Sequence, residues 1–112
     1  MTAKQIMQIA VKALESKKGI DIRVIRISDV TTIAEYIVFV SGGSDTQVRA
    51  LTDETEYQLG EQGVKAHHIE GKASGWTLLD YPGVIINVMT EKSREFYDLE
   101  RLWSDGEEIK VD

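Results

Sequence analysis

The chain has 112 residues, a length that fits one domain with its own apolar core. It contains no cysteine, which removes disulfides, thiolate catalysis and iron–sulfur ligation. Its net charge of −6, from 19 acidic and 13 basic residues, argues against broad nucleic-acid binding, because phosphate backbones repel an acidic body.

The N-terminal stretch places Ile6, Ile9, Ala10, Ala13 and Leu14 at helical spacing, predicting a helix over residues 3–17. Thr2 and Gln5 have the types and spacing of a capping box, and Lys17-Lys18-Gly19 supplies a stop. The stretch lacks the continuous apolar run of a signal peptide, and no run approaches the ~20 residues of a membrane span. The expectation is a cytoplasmic protein of one domain, residues 1–112, that keeps its N-terminus and has no membrane contact.

Residues 21–27 alternate as a strand. Residues 35–41 (EYIVFVS) form a near-continuous apolar run, expected to be a central strand buried on both faces. After Gly42-Gly43, Ser44 and Gln47 suggest a second capping box. The helix behind it runs to about Gln62, with Val48, Leu51, Thr55 and Leu59 on its buried side.

Residues 64–70 predict a weak strand, and residues 75–81 and 84–90 two stronger ones. Tyr81-Pro82-Gly83-Val84 joins the latter pair with the composition of a type II turn. That turn matches strand twist less well than the primed types, so the pair is expected to splay or bend. A last helix over residues 92–103 is expected to bury Phe96, Leu99 and Leu102, and the polar tail beyond Ser104 to fray. The order αββαβββα defines an α/β (mixed α+β) fold with one five-stranded mixed sheet and packed helices.

Catalytic signals are sparse. A Gly-Ser turn entering a helix, as at Ser41–Asp45, can cradle a phosphate, and a nucleotidyltransferase-like enzyme using that turn is the alternative reading. Such chemistry needs paired carboxylates on a neighbouring strand to hold magnesium. The next acids, Asp53, Glu54 and Glu56, fall instead in a predicted helix, where they point in different directions. His67 and His68 are adjacent in a predicted strand and face opposite sides, which disfavours a shared metal. No cofactor and no metal ligand set is expected. In residues 76–81, Trp76, Leu78 and Asp80 share one face, and Thr77, Leu79 and Tyr81 the other. With Leu79 in the core, Trp76 and Leu78 form an apolar ridge ending in an acid, suited to docking a protein unless the last helix covers it.

The motifs SGGSDTQVRALTDE (Ser41–Glu54), Glu70-Gly71, WTLLDY (Trp76–Tyr81) and REFYDLERLW (Arg94–Trp103) closely resemble the ribosomal silencing factor, or Iojap-like, family, in order and spacing over nearly the whole chain. The resemblance implies a nucleotidyltransferase-like fold without the metal-binding acids. It also implies a translational repressor that binds the large ribosomal subunit through its fourteenth protein, blocks joining of the small subunit, and takes part in late large-subunit maturation. Carried onto this chain, the partner-binding surface comprises Trp76, Leu78, Asp80 and Tyr81, with Glu70 at its edge. Pro82-Gly83 stands where many relatives carry Gly-Asp, and Asn87 where they carry His, which removes any histidine role there. The apolar Trp76–Tyr81 face is also expected to support a homodimer when the chain is free.

Overall fold

A computed structural model describes residues 1–72 and 74–111. Its elements run α1 (Ala3–Ser16), β1 (Ile20–Arg26), β2 (Tyr36–Gly42), α2 (Asp45–Glu61), β3 (His68–Glu70), β4 (Trp76–Tyr81), β5 (Val84–Thr90), α3 (Glu91–Tyr97), a 3₁₀ turn (Leu99–Trp103) and β6 (Glu107–Ile109). They form one six-stranded sheet in the order β3-β4-β5-β2-β1-β6. Among the described residues, only β2 and β5 pair in parallel. The mixed sheet matches the sequence reading, with one strand more than expected.

The predicted caps form. Thr2 Oγ1 accepts from the Gln5 amide at 3.1 Å, and Gln5 Oε1 accepts from the Thr2 amide at 2.9 Å. Ser44 Oγ accepts from the Gln47 amide at 3.1 Å, but Gln47 does not complete a box. Its Oε1 accepts from Gly43 at 2.6 Å and its Nε2 donates to the Lys18 carbonyl at 2.9 Å, so one side chain ties α2 to the α1–β1 turn. At that turn the left-handed residue is Lys18 (φ 60°) and not Gly19. Gly19 is needed for space: a methyl there would lie 2.6 Å from Val40 Cγ2 and 3.1 Å from the Leu14 carbonyl.

Both faces of β2 are buried along its whole length, as its sequence predicts. On one face Val24, Val38, Val40, Leu79, Tyr81, Val84, Ile86 and Val88 pack against Ile6, Ala10 and Leu14 of α1 and Val48, Leu51 and Leu59 of α2. Burying some fifteen such side chains, at ~1.5–3 kcal/mol each, is the main force holding the fold. The β4–β5 ladder is unbroken from Trp76↔Met89 to Tyr81↔Val84. The expected splaying is absent. Gly83 takes φ 75°, as a type II turn requires, and its carbonyl accepts from both Glu35 and Tyr36, which docks the turn onto the start of β2. The strand expected over residues 64–70 shrinks to β3, because the Val64 amide still bonds back to Leu59 at the helix end.

The C-terminus departs most from expectation. The last helix breaks at Asp98, which is left-handed at φ 48° and ψ 46°. Phe96 and Leu102 are 78% and 71% exposed, not buried. Leu99 and Trp103 instead cover Ile25, Ile37 and Phe39, a smaller core on the second sheet face. The residue that α3 buries is Arg94. Its guanidinium donates to Glu100 through Nε and Nη2 at 2.9 and 3.2 Å, and through Nη1 to Ser41 Oγ at 3.0 Å and the Ile20 carbonyl at 3.3 Å. Arg23 also bonds Glu100 and holds Glu108 with a two-pronged contact at 2.6 and 3.2 Å. The described tail beyond Ser104 is not wholly frayed, since Glu107–Ile109 is a strand. It pairs with β1 as β6. Periodicity cannot reveal this anchoring, because it is made by charged pairs, and those that tie the segment to β1 lie 77 and 85 residues apart.

Candidate functional site

The ladder registers put Glu70, Leu78, Asn87 and Phe39 in one row of the second sheet face, and His68, Asp80, Ile85 and Ile37 in the next. Trp76 opens a third row beside Met89 and Ser41. The C-terminal segment covers the β1–β2 half of this face through Leu99 and Trp103. Trp76, Leu78, Asp80 and Ile85 on the other half are half-buried, and Glu70 is exposed.

Four of the five residues assigned to partner binding therefore share this face. Tyr81 does not. It is 2% exposed and sits in the main core, because odd positions of β4 face α1 and α2. Burial, reinforced by the Glu56 carboxylate, pushes its phenol up to about 12, so it stays neutral. Tyr81 is a core residue that positions β4.

Trp76 is held from two sides. Its Nε1 donates to Asn87 Oδ1 at 2.9 Å, and Asn87 Nδ2 reaches the Val38 carbonyl at 3.5 Å. Its ring lies 5.0 Å from that of Tyr97 at a tilt of 43°. Tyr97 in turn meets Phe96 edge-on at 5.0 Å. The last helix thus partly covers Trp76 and adds two aromatics, Tyr97 at 49% exposure and Phe96 at 78%. Sequence reading placed Phe96 in the core and gave Asn87 no role. The register Leu78↔Asn87, with the buried polar side chain it implies, needed the β4–β5 pairing to be seen.

The Ser41–Asp45 turn is occupied by its own capping bonds, with the Gly43 and Gln47 amides already donating. The helical acids diverge. Asp53 is exposed, Glu54 accepts from Gln58 and Glu56 pairs with Lys72 at 3.3 Å. Among the described residues no group of three His, Asp or Glu side chains is placed to hold a metal ion, and none of their helices is long and apolar enough to cross a membrane.

The fold and this face together define an α+β domain with two helices behind its sheet and an acid-edged aromatic face in front. A family model described as ribosomal silencing factor during starvation matches residues 1–112, and the chain belongs to that family. It is 36% identical over 104 residues to a ribosomal silencing factor of Chromobacterium violaceum, covering 92% of this chain and 85% of that protein. A crystal structure of a protein from the same organism superposes with a TM-score of 0.90 at 34% identity, covering 93% of this chain and 88% of the other. A more distant relative, the mouse mitochondrial assembly of ribosomal large subunit protein 1, is 28% identical, covering 91% of this chain and 46% of that protein.

Proposed function

We propose that this protein is a translational repressor that binds the large ribosomal subunit through its fourteenth protein and sterically blocks the small subunit from joining. Family membership supports the ribosomal role, and the open half of the sheet carries the docking reading. Trp76 and Leu78 supply anchors that a partner can desolvate, while Asp80 and Glu70 complement basic groups on a ribosomal protein. Tyr97 and Phe96 extend the anchors by one helix turn. Silencing by this route needs no catalysis. The chain occupies surface that the small subunit requires, so its effect follows affinity and concentration. The overall negative charge disfavours misplaced contact with ribosomal RNA.

The same large-subunit contact suits a part in late subunit maturation, and the same aromatic face is where two free copies would meet as a homodimer. Sedimentation with separated subunits tests the reading. The chain should comigrate with the large subunit and lower the yield of intact ribosomes. Subunits joining at their usual rate with the chain at saturation would overturn it.

A further inference from the structure

The open face contains its own titratable group. His68 lies on the edge strand β3, and its Nε2 is 2.6 Å from Glu70 Oε1. Both side chains are exposed. Across the ladder His68 is opposite Asp80, and the next residue in that row, from β5, is the apolar Ile85. The carboxylates of Glu70 on β3 and Asp80 on β4 are therefore the charged groups that share its patch. Among the described residues, β3 has no strand on its other side.

We propose that His68 makes docking pH-dependent, so that acidification weakens the hold on a basic partner surface. The proposal rests on the reading above, in which Glu70 and Asp80 meet basic groups. With a neutral imidazole, the three side chains carry a charge of −2, and both carboxylates can attract a cation. With an imidazolium, the charge falls to −1. Glu70 then has a cation of its own, and a positive charge stands opposite Asp80. The partner and the proton compete for the same two carboxylates. By linkage, binding that favours the neutral ring weakens as the ring takes up a proton. Imidazole is the side chain whose charge ordinarily changes between pH 5 and 8. Comparison with His68→Gln separates the ring's response from that of the carboxylates, which both proteins share.

The test measures affinity for purified large subunits from pH 8.0 to 5.5 at fixed ionic strength, for wild type, His68→Gln and His67→Gln. His67 is also exposed and makes no carboxylate pair among the described residues, so it is the control. Wild type and His67→Gln should weaken by about fivefold, the upper end for a solvent-screened charge pair. His68→Gln should keep its alkaline affinity with a flatter profile, and its melting temperature should match wild type. A His68→Gln profile as steep as wild type would refute the switch and leave docking intact. Absence of binding by all three proteins at every pH would refute docking itself.

Discussion

The indole–amide bond between Trp76 and Asn87 sets the pose of the proposed anchor, and its energy can be isolated. Trp76→Phe keeps an aromatic ring but deletes the N–H, leaving Asn87 Oδ1 without its 2.9 Å donor in a residue that is 2% exposed. An unsatisfied buried acceptor costs ~1–3 kcal/mol, and the half-buried rim of Trp76 lets water soften this to about 1.5 kcal/mol. Asn87→Ala loses that bond and the longer one to Val38, at a cost of about 2 kcal/mol. Because both substitutions remove the same bond, the double variant should lose about 2.5 kcal/mol and not the additive ~3.5, a coupling of about 1 kcal/mol. Urea unfolding of the four proteins measures this. In thermal unfolding, Trp76→Phe should lower Tm by roughly 6 °C. Single-variant effects that add to within ~0.3 kcal/mol would show that the bond contributes nothing and that packing against Tyr97 alone orients the ring.

Three further outcomes follow from the same geometry. Phe96→Ser removes an aromatic that is 78% exposed, so stability should change by less than ~0.5 kcal/mol while large-subunit affinity falls about tenfold, measured by unfolding and by cosedimentation. Burial alone would raise the Glu100 pKa, but hydrogen bonds and charge from Arg94 and Arg23 outweigh it and hold the carboxylate below its ordinary value. A lowered folded-state pKa adds stability at pH above the unfolded value and loses it as pH falls through the folded one. Acidification below the ordinary carboxylate range should therefore loosen the C-terminal segment, seen as faster amide exchange in β6. Glu100→Gln should cost about 2 kcal/mol and reduce that pH dependence. Gly19→Ala should destabilise by about 2 kcal/mol in urea unfolding, since the new methyl meets both Val40 and the Leu14 carbonyl.

The N-terminal four-fifths of the fold was legible because local signals agreed there. Thr2-x-x-Gln5, the apolar spacing of α1, the EYIVFVS run and Pro82-Gly83 each point to the element that forms. Strand alternation likewise put Trp76, Leu78 and Asp80 on one face, and family resemblance added Glu70. Alternation also assigned Tyr81 to the opposite, core side, and the register supports that placement over the resemblance. The C-terminus was misread because its amphipathic pattern assumes a continuous helix. A left-handed Asp98 rotates the later residues, so Leu99 and Trp103 turn inward while Leu102 stays out. Arg94 and Glu100 are only six residues apart, but Arg23 meets Glu100 and Glu108 across 77 and 85 residues and Arg94 meets Ser41 across 53, separations that no local window can pair.

Both margins of the sheet are only three residues long, His68–Glu70 on one side and Glu107–Ile109 on the other, and each carries carboxylates. Short charged borders give an incoming strand little to zip onto, so chain-on-chain growth into fibres is blocked at both ends. An apolar sheet face flanked by such borders is thereby guarded against edge-to-edge pairing.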